Sequence, residues 1–154
     1  LKFRRVKQLL AEHGLVQGPD LQIGMMVEVP SNALIPEKFA LEGPDFWSIG
    51  SNDLTQLVLG IDRDSEIIQD EFDELDEAVM TAIGNVARVA HEYGISLSSC
   101  GEAPSKYPQL IEKLILWGFD SISFSISGIA DARPRIVRIE KRLGILPVQE
   151  SEAA

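Results

Sequence analysis

Short apolar runs alternate with amphipathic stretches from one end of this chain to the other. Residues 2–13 (KFRRVKQLLAEH) place Phe3, Val6, Leu9 and Leu10 at helical spacing, and Gly14 suits the residue that ends such a helix. After the turn signal QGPD (17–20), the run MMVEVP (25–30) predicts a buried strand, and a helix follows from about Ser31, its candidate N-cap, to Ala40. Residues 45–49 predict a second strand and DLTQLVLG (53–60) a short helix behind it. The acidic stretch DRDSEIIQDEFDELD (62–76) breaks the pattern and reads as a long loop with room for a short helical piece. A helix from Glu77 to Tyr93, a strand over 95–99, a helix from Pro104 to Trp117, a strand over 120–124 and a last helix from Ile129 to Leu143 complete the order.

Strands alternating with helices, joined by connections long enough for parallel crossovers, define an α/β fold. Four such units are half of a (β/α)8 barrel of the TIM type, which takes about 250 residues. By element count alone, a small open sheet that is complete in itself is the alternative. No Pro/Gly/Ser-rich linker divides the chain, so residues 1–147 read as one domain and VQESEAA (148–154) as a disordered tail. A half barrel would leave two open edges and an apolar inner face, which predicts a homo-oligomer.

Composition narrows the partners. At 154 residues and 45% hydrophobic, the chain can bury a real core. No apolar run approaches the roughly 18 residues that span a bilayer, and LKFRRVKQLL is too charged for a signal peptide, so no membrane is expected. A net charge of −10 with scattered basic residues argues against nucleic acid. The single cysteine excludes an internal disulfide and a Cys-based zinc site, which fits a reducing, cytoplasmic setting. The chain starts at Leu1 and not at Met, as a piece of something longer would.

Three reactive side chains follow three successive strand-like runs: Glu28 in MMVEVP, Asp53 after FWSIGSN, and Cys100 in GISLSSCGEAPS. Strand-end placement of this kind builds α/β active sites on βα loops. An unpaired Glu28 in apolar surroundings needs a cation, and two nearby carboxylates repel unless a hard metal joins them, the habit of Mg2+ or Mn2+. The alternatives are that Glu28 pairs with a Lys or Arg and that Asp53 caps the following helix. Cys100 can be a small buried hydrophobe or, beside Gly101 and opposite a metal, a general acid or base. His13 and His91 lie near helix C-termini and read as structural. No phosphate loop, dinucleotide fingerprint or His-rich metal motif is present.

The blocks GMMVEVPSNALIPEKFA, DFWSIGSNDLTQLVLGIDRDS and CGEAPSKYPQLIEKLILWGFDSIS, in this order, closely resemble the C-terminal barrel domain of the phosphoenolpyruvate synthase (pyruvate, water dikinase) family, from about Val6 to Leu143. The wider group of PEP-utilising enzymes includes pyruvate phosphate dikinase and enzyme I of the sugar phosphotransferase system. The resemblance implies a barrel that binds pyruvate or phosphoenolpyruvate, here as its later half. It implies Mg2+ held by Glu28 and Asp53, which also face the substrate. Ser51 and Asn52 would contact substrate beside neighbouring backbone amides, and Cys100 would give or take the C3 proton. The parent reaction converts pyruvate, ATP and water to phosphoenolpyruvate, AMP and phosphate through a phosphohistidine.

The family's upstream barrel half, with its substrate-binding arginines, and its nucleotide-binding and phosphohistidine domains are absent from this chain, so the segment alone is expected to be inactive. Neither Arg4 nor Arg5 matches one of those arginines. The chain reads SFSISGI where the family carries Asn-Pro-Asp or Ser-Pro, which leaves the role of Ser125 unassigned, as is that of the acidic loop 62–77. The rivals are a pyruvate phosphate dikinase or an enzyme I, and, from another class, a non-catalytic half barrel serving as a binding or dimerisation module. The SNDLTQLVLGIDRDS wording favours the synthase.

Overall fold

In the computed structural model, which describes residues 2–146, four strands form one parallel sheet in sequential order: β1 (Gly24–Val27), β2 (Phe46–Gly50), β3 (Ser96–Cys100) and β4 (Ser121–Ile122). The tail expected over 148–154 lies outside the described residues. The helices are α1 (Lys2–Glu12), α2 (Pro30–Leu34), α3 (Pro36–Ala40), α4 (Ser51–Leu59), α5 (Glu77–Glu92), α6 (Ala103–Lys106), α7 (Pro108–Leu116) and α8 (Ile129–Arg142). Every strand is followed by helix, as the hydrophobic periodicity predicts. No helix among the described residues is long and apolar enough to cross a membrane.

Prolines cut two of the expected helices. Pro36 has no N–H to continue a helix and keeps Ile35 out of the helical region (φ −135, ψ 51), so the helix expected over 31–40 is α2 followed by α3. Pro108 does the same through Tyr107 (φ −119, ψ 85), dividing the helix expected over 104–117 into α6 and α7. Ser31 is not an N-cap: α2 starts at Pro30, and its first turn is held by Asn32 Oδ1, which accepts from the Val29 amide at 3.4 Å.

Alternation along the strands separates two faces. Val27, Trp47, Ile49 and Leu97 are at most 1% exposed and pack with Val79, Ile83, Val86 and Val89 of α5 and with Leu110 and Leu114 of α7. At about 25 cal/mol per Å2 of apolar surface, this layer between sheet and helices dominates the stability of the unit. The other face is not the apolar layer that a half barrel was expected to leave. It carries Ser48, Gly50 and Ser98 beside Met26 and Phe46, because the helix side already takes the bulky aliphatic residues. Ser98 Oγ donates to the Trp47 carbonyl at 3.3 Å. Phe46 lies over Gly24, where an added Cβ would sit 2.2 Å from the ring.

Two aspartates fasten the start of the sheet. Asp45, just before β2, accepts from the Ile23 amide at 2.5 Å, and Asp120, just before β4, accepts from the Leu97 amide at 2.7 Å and from Ser96 Oγ at 2.9 Å. Each ties a strand to its neighbour at the end opposite the βα loops. The register that results fixes the other end, where the candidate chemistry stands.

Candidate functional site

Parallel register sets β1, β2 and β3 side by side, with Val27 opposite Ile49 and Gly50 opposite Cys100. Glu28 is therefore the first residue past the end of β1, and it flanks Gly50. A Cβ added at Gly50 would lie 3.1 Å from Glu28 Cβ, 3.3 Å from Glu28 Oε2 and 3.6 Å from Met26 Sδ. Cys100 Sγ lies 3.5 Å from that same Met26 Sδ and 3.3 Å from the Ile49 carbonyl oxygen. Glu28 and Cys100, both singled out by sequence, thus border one patch centred on Gly50 and Met26. The thiol is half-buried.

The next turn of chain supplies Ser51, Asn52 and Asp53. Helix α4 starts two residues earlier than DLTQLVLG suggested, with Gly50 as its N-cap and no side-chain cap bond. Asp53 is therefore not the cap that the alternative reading made it. It is an exposed carboxylate in the first turn, where the helix dipole favours negative charge. Glu28 has no hydrogen-bond or ion-pair partner among the described residues, so the Lys or Arg expected if it were merely paired is not found there.

The donor set is two carboxylates of differing exposure, and among the described residues no group of three or more His, Cys, Asp or Glu side chains is gathered to hold a metal. Carboxylates in such small number are the donor type that Mg2+ or Mn2+ take up with substrate and water completing the shell, and not the makings of an all-protein cage.

Two residues that sequence reasoning passed over join the site from the acidic loop. Glu74 is 5% exposed, and its Oε1 accepts from Ser51 Oγ at 2.7 Å. With the Asn52 amide oriented as its neighbours' hydrogen bonding requires, its nitrogen donates to the same Glu74 Oε1 at 2.8 Å and its oxygen accepts from Arg63 Nη1 at 3.1 Å. An arginine is thus present beside Asn52, although the sequence suggested that such cations belong to an absent segment. Gly101 closes against this group with φ +113, and a Cβ there would stand 3.1 Å from both the Asn52 amide and Ser51 Oγ. Nothing in DEFDELDEA marks one acid as the buried one.

Asn52 and Glu74 also line a cavity of about 450 Å3 with Phe72, Glu102, Ser105, Lys106 and Ser125. Ser125, to which the sequence gave no role, is held there by its amide, which donates to Ser105 Oγ at 3.3 Å. Lys106 has its pKa raised, first by its hydrogen bond with Tyr107 and then by the charges of Glu74 and Asp73. The histidines stay apart from this region: His13 is exposed, and His91 Nε2 bonds the Trp117 carbonyl at 2.7 Å, just past the end of α7.

Comparison with known proteins matches the family described as PEP-utilising enzyme, PEP-binding domain, over residues 2–141. Phosphoenolpyruvate synthase of Aeropyrum pernix is 41% identical over 151 residues, 97% of this chain and 18% of that protein. Phosphoenolpyruvate synthase of Aquifex aeolicus is 41% identical over 143 residues, 92% of this chain and 17% of that one. The chain therefore spans less than a fifth of the length of these relatives. Among solved structures, the citrate synthase SbnG superposes with a TM-score of 0.52 at 18% identity, covering 81% of this chain and 46% of that one. That likeness is one of fold alone, and it agrees with four βα units forming half of a (β/α)8 barrel.

Proposed function

The chain belongs to the PEP-binding domain family of PEP-utilising enzymes, and from that premise we propose that it is the C-terminal part of a phosphoenolpyruvate synthase and carries half of its pyruvate site. The observation that carries this reading is the row of Glu28, Gly50 and Cys100 across three adjacent strand ends, with Asn52 and Asp53 on the turn that follows.

Glu28 and Asp53 would hold Mg2+ or Mn2+, which when bound supplies positive charge beside an oxygen that gains electrons. Asn52, with Ser51 and the backbone amides of the α4 first turn, orients the substrate. Arg63 offers guanidinium donors to its anionic end. The Cys100 thiolate takes a proton from the pyruvate methyl carbon and becomes a thiol. The electrons of that C–H bond move into the bond between the methyl and carbonyl carbons, and the carbonyl pair shifts onto oxygen. That oxygen accepts a phosphoryl group brought by a part of the enzyme outside this chain. In reverse, the thiol returns the proton.

The test uses the full-length polypeptide that carries this chain. Cys100→Ser is expected to slow deuterium exchange at the pyruvate methyl at least about 100-fold, the usual worth of a positioned acid or base, while ATP-dependent phosphorylation of the protein continues. Methyl exchange at the native rate in this variant overturns the assignment.

A further inference from the structure

We propose that Glu74 is a positioning residue: it fixes the side-chain amide of Asn52 and, through it, the guanidinium of Arg63, in the orientation that receives substrate. This rests on the pyruvate-site reading above and adds to it a residue that touches no reacting atom.

Burying a carboxylate is costly unless hydrogen bonds compensate, and Glu74 lies 5% exposed in the loop between α4 and α5, whose other carboxylates face solvent or cap local turns. Both of its recorded donors come from the first turn of α4, Ser51 Oγ at 2.7 Å and the Asn52 amide nitrogen at 2.8 Å, and both reach the same oxygen. A side-chain amide has two faces, and which one meets the substrate is decided by whatever holds the other end. With Oε1 of Glu74 claiming the nitrogen, the amide oxygen must point the opposite way, where Arg63 Nη1 meets it at 3.1 Å. The chain Glu74, Asn52, Arg63 thus has one consistent set of donors and acceptors, and only Glu74 anchors it in the protein interior. Gly101 completes the clamp, since any side chain there would press on the Asn52 amide.

Three substitutions in the full-length polypeptide separate position from charge. Glu74→Ala removes the acceptor and is expected to raise KM for pyruvate about tenfold, the usual worth of a lost hydrogen bond to a polar group held in the interior, while KM for ATP stays at its native value. Glu74→Gln keeps an acceptor oxygen in place without the charge and is expected to recover most of that loss. Glu74→Asp keeps the charge but withdraws the acceptor by one methylene, and is expected to resemble Ala; it also serves should the Ala variant not fold. Recovery by Asp and not by Gln, or equal KM values in all three, overturns the proposal. Crystal structures of the native and Asp variants decide the same point without activity. The Asn52 amide should turn and lose Arg63 in the variant, and an unchanged Asn52–Arg63 contact refutes the positioning. A native polypeptide that turns over no pyruvate would sink the parent reading alone, because the structural comparison still judges Glu74.

Discussion

Gly50 separates Glu28 from Cys100, and a methyl group there would meet the Glu28 side chain at 3.1 to 3.3 Å. Contacts that tight oblige the carboxylate to shift, so Gly50→Ala should weaken metal binding without removing a ligand. Glu28→Gln and Asp53→Asn should abolish it, as read by Mn2+ titration calorimetry on the full-length polypeptide. Native affinity in both carboxylate variants would remove the metal from this site. A second residue-scale expectation concerns Thr55, which is fully buried on α4 with no partner for its Oγ1 among the described residues. Thr55→Val keeps the shape and deletes the orphaned hydroxyl, so it should raise unfolding free energy by about 1 kcal/mol, measured by urea titration. The positions of Glu28 and Cys100 at strand ends were legible in the sequence because each closes or follows a strand-like run, MMV and ISLSS. Glu74 and Arg63 were not, since the loop that holds them is acidic throughout and only packing distinguishes its members.

At the scale of elements, the alternation of strands and helices was readable, and its errors trace to particular residues. Pro36 and Pro108 sit inside amphipathic stretches whose periodicity continues through them, so spacing suggested single helices where the missing N–H dictates a break. The start of α4 was misplaced because Ser51 and Asn52 look like turn residues, although here they serve as the helix's first turn. Helix α1 depends on charge to find its place. Arg4 Nε bonds Glu42 Oε2 at 2.6 Å, and Lys7 Nζ donates to the Glu42 carbonyl at 3.0 Å, joining α1 to the turn after α3. The hydrogen bond from Arg4 holds the Glu42 carboxyl below its usual pKa. A carboxylate favoured in the folded state stabilises it fully above the unfolded value of about 4.5 and ceases to as pH falls through the lowered folded value. Amide protection factors in α1, taken relative to intrinsic exchange at each pH, should therefore fall selectively at acid pH, and Glu42→Gln should show the lower protection already at neutral pH. Protection factors in α1 that do not change with pH would show that Glu42 does not hold it.

For the whole molecule, the sequence indicated half a barrel by counting units, and the sheet order β1-β2-β3-β4 shows what that leaves open. Among the described residues β1 and β4 each pair on one side only, so two rows of backbone N–H and C=O groups face outward, and exposed edges of this kind are templates for strand addition. The inner face is less adhesive than a bulky aliphatic layer would be, because Ser48, Gly50 and Ser98 dilute Met26 and Phe46. Association of the isolated chain would then rest mainly on edge pairing together with the apolar side chains that stay accessible, among them Met26 at 44% exposed. Edges pair by geometry, and one parallel sheet can continue another if β4 of one copy meets β1 of the next. We expect the isolated 154-residue chain to scatter light as a multiple of 17.0 kDa, with mass rising with concentration. A proline at Met25 in the exposed edge strand, which removes one N–H and disfavours pairing, should lower that mass if β1 is the contact. A constant 17.0 kDa over a hundredfold range of concentration would mean that four βα units satisfy their own edges.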